Sequence, residues 1–317
     1  MSLRVAFFGT PGFAVPTLDA LLASDHDVVG VVSQPDRPRG RGHQVSEAPV
    51  KARARAAGVP VLQPTRLKDA DFLDAFRAWG ADLAIVAAYG RLLPQVLLDI
   101  PPRGFLNVHA SLLPAWRGAS PIQRAVLNGD AVSGVTIMRV VLALDAGPML
   151  ARVEVPVGED DTSGSLEARL SVAGASLLRD VVDRIGRGET VPEVPQDDQK
   201  ATLAPRLEKQ EGRIDWTRPA LELDRHVRGM QPWPGAFTFV DGQRLVVREA
   251  KAAAAGAGET APGGLVKADG DAILLACGDG GALRVARVQP EGKRVMTAKA
   301  WLLGRRATTT VQAVSTP

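Results

Sequence analysis

In this chain of 317 residues, three polar side chains sit where apolar runs end. Asn107 and His109 close the run 105–109, and Asp145 follows the run 134–142. Strand residues alternate faces, so Asn107 and His109 point to the same side. An amide and an imidazole there can donate hydrogen bonds to an oxygen that gains negative charge, and one such donor is worth ~3–4 kcal/mol of barrier. A carboxylate beside them can orient the imidazole, place a water, or take a proton from an attacking amine. Together they suit acyl-type transfer. A lone His at a strand end is, however, more commonly a satisfied structural group, and an Asp just ahead of a Gly commonly makes a turn. Spacing alone therefore leaves both readings open. Nothing nearby points to covalent chemistry. The single cysteine, Cys277, is far away in sequence, Ser111 has no partners in triad order, and no GxSxG occurs. No metal-ligand spacing is visible. The residue types favour direct transfer.

The elements that must position these groups read as an open parallel sheet. Residues 3–9 are a continuous apolar run, suited to a strand buried on both faces. Helical spacing over 15–23, with Pro16 near its start, and a second strand over 28–33 complete a β-α-β opening. Further strands are expected at 59–62, 83–88, 105–109, 134–142 and 149–155. Helices are expected at 51–57, 69–79, 92–99, 121–128 and 160–186. Open parallel sheets take ligands beyond the carboxyl ends of their strands. The residues there are Gly9-Thr10, Tyr89-Gly90, Asn107 to His109 and Asp145. Gly9-Thr10-Pro11-Gly12 is not GxGxxG, and Pro11 lacks a donor, so it reads as a tight turn.

Residues 34–49 form a long polar loop with Arg37, Arg39 and Arg41 at alternate positions. A loop of this length is usually functional or disordered. Arginines on a Gly/Pro backbone can grip phosphates. Residues 187–206 hold Pro192, Pro195 and Pro205 and have a linker composition. Beyond them, a helix at 220–228 precedes short runs separated by glycines, as in a small antiparallel barrel or sandwich. The expected organisation is a domain over 1–188, a linker over 189–206 and a second domain over 207–317. Lys and Arg number 21 against 23 Asp and Glu up to residue 200, and 17 against 12 after it. The basic C-terminal part is compatible with a polyanion, or simply with a solvated surface. A single cysteine excludes an internal disulfide framework and disfavours a structural zinc site. No apolar run reaches the ~18–20 residues of a membrane span. The N-terminal run leads straight into a turn rather than a cleavage site. A cytoplasmic protein is expected.

At these residues the chain closely resembles the methionyl-tRNA formyltransferase family. The resemblance rests on several motifs in order: Phe8-Gly9-Thr10-Pro11; Gln34-Pro35-Asp36-Arg37-Pro38; Ala88-Tyr89-Gly90; and Asn107-Val108-His109-Ala110-Ser111-Leu112-Leu113-Pro114. Trp116-Arg117-Gly118, Pro121-Ile122-Gln123-Arg124, Leu144-Asp145-Ala146-Gly147 and Pro232-Trp233-Pro234-Gly235 follow. It implies a Rossmann-like parallel-sheet formyltransferase domain followed by a small OB-like β-barrel domain. It also implies formyl transfer from 10-formyltetrahydrofolate to the methionine amino group of initiator methionyl-tRNA, without a metal or a membrane. On that resemblance Asn107, His109 and Asp145 are catalytic. Ser111, Leu112, Leu113, Pro114, Tyr89 and Gly90 line the folate site. Arg37, Arg39 and Arg41 approach the tRNA. A monomer is expected. Several features depart from the family: Gly12 stands where Asp is usual, the stretch Val140-Val141-Leu142-Ala143 is wholly apolar, Ala143 stands where Gly is usual, and Gln231 replaces the usual Asn before Pro232-Trp233-Pro234. Formyl transfer to an amino sugar nucleotide, folate-dependent deformylation and non-catalytic RNA binding are the alternatives.

Overall fold

The computed structural model describes residues 1–39, 44–253, 256, 258–304 and 312–314. In chain order the first elements are β1 (Arg4–Gly9), α1 (Val15–Leu22), β2 (Asp27–Val32), β3 (Arg37–Arg39), β4 (Gln44–Ser46), α2 (Pro49–Ala56) and β5 (Val61–Leu62). There follow α3 (Ala70–Ala78), β6 (Leu83–Ala87), α4 (Gln95–Leu98), β7 (Phe105–His109), β8 (Arg117–Gly118) and α5 (Pro121–Asn128). Next come β9 (Val132–Arg139), β10 (Met149–Pro156), α6 (Ser163–Gly186) and β11 (Leu203–Ala204). The chain divides into two compact units. The first comprises 1–121, 132–156 and 167–205; the second comprises 122–131, 157–166 and 206–317.

The first unit is built on a seven-stranded sheet of order β10-β9-β7-β6-β1-β2-β5. Strands β5, β2, β1, β6 and β7 run parallel; β9 is antiparallel to β7 and β10 antiparallel to β9, so of the seven strands β9 alone is reversed. Every residue of β6 is buried, as is all of β1 after Arg4, which is why both read as unbroken apolar runs. Phe72, Leu73 and Phe76 lie on the buried face of α3. Phe76 stacks edge-on against Phe8, which also meets Phe105 and Tyr89. These rings form the centre of one core cluster. The sheet's carboxyl edge therefore stands on a rigid aromatic base.

Two expectations change here. The strand expected over 134–142 ends at Arg139, because pairing with β7 stops at Leu106 opposite Arg139. Val141 and Leu142 then turn out to solvent. The polar loop 34–49 is not irregular throughout: β3 and β4 pair antiparallel, with Arg37 opposite Ser46 and Arg39 opposite Gln44. Arg41 lies outside the described residues.

The second unit adds α7 (Ala220–Gly229), β12 (Ala236–Val240), β13 (Gln243–Ala253), β14 (Leu265–Asp269), β15 (Ala272–Ala276), β16 (Ala282–Pro290), β17 (Met296–Thr297) and α8 (Ala298–Leu303). Its six strands are all antiparallel, in the order β12-β13-β16-β15-β14, with β17 on β16. Leu223 and Val227 of α7 pack with Trp216, Val247, Val285 and Trp301 in its core. Among the described residues no helix is long and apolar enough to cross a membrane.

Candidate active site

Strand β7 carries Asn107 and His109 on one face at its carboxyl end. Asn107 is half-buried, and its side chain makes no hydrogen bond among the described residues. An amide left free at a strand end is available to a ligand. His109 is buried, at 5% exposure. Its Nε2 lies 3.1 Å from the carbonyl oxygen of Trp116. A carbonyl only accepts, so Nε2 carries the proton and donates. Nδ1 faces Asp145 Oδ1 at 3.7 Å. That separation is too long for a direct hydrogen bond.

Asp145 is held by long-range contacts. Its Oδ2 accepts from the Gly118 backbone N–H at 2.9 Å. Gln196 Nε2 donates to the Asp145 carbonyl at 2.8 Å and to the Gly147 carbonyl at 2.7 Å. Gln196 Oε1 in turn accepts from Arg117 Nε at 3.0 Å. Asp145 adopts φ 48° and Trp116 φ 62°. Both are non-glycine residues in the left-handed region, a conformation retained only where surroundings enforce it. Gly147 is tied to its position by space: a Cβ there would come within 2.0 Å of the Arg139 carbonyl. The carboxylate is thus held by Gly118 and its backbone by Gln196, rather than by its own loop alone.

The 111–114 loop is fastened underneath. Ser111 Oγ donates to the Ala115 carbonyl at 2.6 Å. Thr136 Oγ1 donates to the Ser111 carbonyl at 2.7 Å and accepts from Leu113 N–H at 3.1 Å. Leu113 is fully buried against Met138 and Met149. Ser111 and Leu113 therefore anchor the loop, while Leu112 and Pro114 remain half-buried. At the next strand end, the Tyr89 ring packs into the aromatic core 5.5 Å from Phe8. Burial pushes its phenol up to about 12. Only the backbone of Tyr89 and Gly90 is left to meet a ligand. Ala88 (φ 45°) and Gly90 (φ 79°) make the sharp turn there.

A cavity of about 430 Å³ opens between residues 65–68, residues 91–94 and Leu142. That volume is in the range of small-molecule sites. Its walls combine Leu67, Leu93 and Pro94 with the cations Arg66, Lys68 and Arg91. The apolar stretch before Asp145 divides: Val140 packs on the core, while Leu142 is 64% exposed and lines the cavity. Ala143 is not among the residues with positive φ. The freedom of glycine is not needed at that position.

Sequence reasoning missed Gln196, Thr136 and the carbonyl of Trp116. Gln196 lies in the proline-bearing stretch with linker composition, where no periodicity marks a buried role. Here it lies in the first unit, and β11 within the same stretch pairs with β8.

Residues 3–182 match the family described as formyl transferase, and residues 206–306 match the formyl transferase C-terminal domain. The chain is 46% identical over 306 residues to the methionyl-tRNA formyltransferase of Jannaschia sp. (strain CCS1), covering 96% of this chain and 97% of that protein. It is 49% identical over 299 residues to the one from Anaeromyxobacter dehalogenans, covering 93% and 95%. The chain belongs to the methionyl-tRNA formyltransferase family. Solved structures with the same fold include HypX from Aquifex aeolicus in complex with tetrahydrofolic acid, with TM-score 0.66 and 18% identity over 96% of this chain and 47% of that one. Another is the sugar 3N-formyl transferase WlaRD, with TM-score 0.66 and 15% identity over 93% and 100%. In this chain Asn107 and His109 lie at the end of β7, with Asp145 approaching His109 to 3.7 Å.

Proposed function

We propose that this chain transfers the formyl group of 10-formyltetrahydrofolate to the α-amino group of methionine on initiator tRNA, with Asn107, His109 and Asp145 as the reacting groups. The observation that carries this is the approach of Asp145 to His109 beside an uncommitted Asn107 amide. The amine nitrogen attacks the formyl carbon. Negative charge gathers on the formyl oxygen, where the Asn107 amide stabilises it; His109, its Nε2–H held by the Trp116 carbonyl, stabilises it once Nδ1 also carries a proton. Asp145 takes the proton that the amine releases. The bond from the formyl carbon to N10 then breaks, and N10 is protonated as it leaves. The pterin lies against the backbone of Tyr89-Gly90 and the 140–145 loop. The anionic glutamate tail of the folate runs toward Arg66, Lys68 and Arg91. Ser111 to Pro114 form the intervening wall.

On this reading residues 1–188 are the catalytic domain, and 189–206 are the connecting stretch that also supplies Gln196. Residues 207–317 are a tRNA-binding domain, and Arg37, Arg39 and Arg41 meet the tRNA from the first unit. An OB-like barrel for the second unit is supported by the bridges from Gln312 to Gly264 and from Val314 to Phe239. The deciding experiment offers labelled 10-formyltetrahydrofolate with charged initiator tRNA, charged elongator tRNA or an amino sugar nucleotide. Label is expected on the initiator tRNA. Label only on the sugar nucleotide would overturn the proposal.

A further inference from the structure

The β3–β4 hairpin is held at its base by side chains that have no part in the chemistry just described. Asp36, immediately before β3, accepts from Lys51 Nζ of α2 and from the Ala48 backbone N–H at 3.2 Å. Lys51 and Ala48 both follow β4, so the carboxylate ties the two stems of the hairpin together. Gln63 Nε2 donates to Asp36 Oδ1 at 3.2 Å and to the Gln34 carbonyl at 2.9 Å. The Gln34 side chain then donates to the Tyr89 carbonyl at 2.6 Å. The Gln34 backbone N–H donates to Thr10 Oγ1 at 3.2 Å, and the Val50 N–H reaches the Thr10 carbonyl at 3.4 Å. One continuous set of hydrogen bonds therefore runs from the ends of β1 and β6 to both stems of the hairpin.

The set is built to be stiff. Asp36 and Lys51 have side chains only 20% and 19% exposed. The Lys51 hydrogen bond, with those from Gln63 and Ala48, holds the Asp36 carboxyl below the usual carboxylate range despite the opposing effect of burial. Lys51 also stands 3.8 Å from Glu47, which pairs with Arg55 at 3.0 Å. Gly90 takes part through space: a Cβ at this position would lie 2.8 Å from Gln34 Nε2.

We infer that Gln34, Asp36, Lys51 and Gln63 are positioning residues that fix the hairpin to the strand ends holding the folate, so that its arginines meet the tRNA in register with the formyl group. This rests on the reading of Arg37, Arg39 and Arg41 as tRNA contacts. None of the four touches a reacting atom. They act by limiting where the hairpin can point, and a hairpin freed to point elsewhere must be ordered when the tRNA binds, which weakens binding rather than the chemical step.

The test is steady-state kinetics on the full chain, with charged initiator tRNA and 10-formyltetrahydrofolate varied in turn. Asp36→Ala and, more mildly, Gln63→Ala are expected to raise KM for the tRNA, by about tenfold for Asp36→Ala, with kcat and the folate KM within about twofold. Lys51→Arg keeps the ion pair and is expected to behave as the unchanged protein, whereas Lys51→Ala follows Asp36→Ala. Asp36→Asn serves in place of Asp36→Ala if the latter does not fold, as judged by its melting curve. A parallel variant replaces Arg37, Arg39 and Arg41 with Gln. If it raises the tRNA KM while Asp36→Ala does not, the positioning role is wrong and the arginine reading stands. If the arginine variant leaves the tRNA KM unchanged, both fail. Equal losses in kcat and in both KM values for Asp36→Ala would mark general structural damage and also overturn the inference.

Discussion

Among the described residues two buried histidines look alike by exposure and differ in everything else. His109 is 5% exposed and His226 6%. His109 ends a strand at the ligand edge of the sheet, between the Trp116 carbonyl and Asp145, with left-handed backbone on both of those neighbours. His226 lies on α7, within the second unit. Its Nε2 has no hydrogen-bond partner among the described residues. Burial lowers its pKa, and the nearby Arg218 adds to this, against opposing effects of the Gly212 backbone and Glu211. Glu211 is itself engaged by Arg124 at 2.7 Å. A buried imidazole is therefore not by itself a site. What distinguishes His109 is a set of acceptors fixed from distant parts of the chain and an exit to open loops.

The largest test of that contrast is turnover. His109→Ala is expected to lose at least ~100-fold in kcat with tRNA binding kept. His226→Gln is expected to stay within about twofold, since it removes no group near the reacting atoms. Equal losses in the two variants would erase the distinction. Asn107→Ala follows with a loss of about 100-fold, as for one donor to a developing oxyanion. Retention of full turnover there would remove Asn107 from the site.

Gly90→Ala comes next. It forces a Cβ into φ 79° and against Gln34, and is expected to cost about 1–2 kcal/mol in urea unfolding. A raised KM for folate should accompany it. The smallest effect is on stability against pH, and it belongs to His226. Its folded pKa lies below the unfolded value of about 6.5. The unfolded state therefore binds the proton first as pH falls. Stability is complete above about pH 6.5 and declines toward the lower folded pKa, by at most about 1.4 kcal/mol per pH unit for this proton. His226→Gln should flatten the part of the unfolding curve due to that proton. An unchanged slope in the variant would show that this histidine does not titrate as its burial demands.

Much of the fold could be read directly from residue order. Apolar runs at 3–9 and 83–88 require strands buried on both faces, and β1 and β6 are those strands. Helical spacing marked Pro121–Asn128 and Ser163–Gly186 closely. The two-residue period placed Asn107 and His109 on one face without any structure. Local backbone geometry and solvent exclusion act over a few residues, so sequence alone determines such features. It also determined the family, through motifs spread over nearly the whole chain.

Only the tertiary structure decided how the site is held. Gly118 and Asp145 are 27 positions apart, and Gln196 and Asp145 are 51 apart. No local rule links them. Sequence alone could not say that the Tyr89 ring turns into the core and leaves only its carbonyl at the edge, nor that Gln34 takes that carbonyl. It could not show that Asp36 joins both stems of a hairpin within an outwardly polar loop. These contacts form only when chain closure brings distant residues within hydrogen-bond range. Residue types in order cannot specify which of many polar partners will meet there.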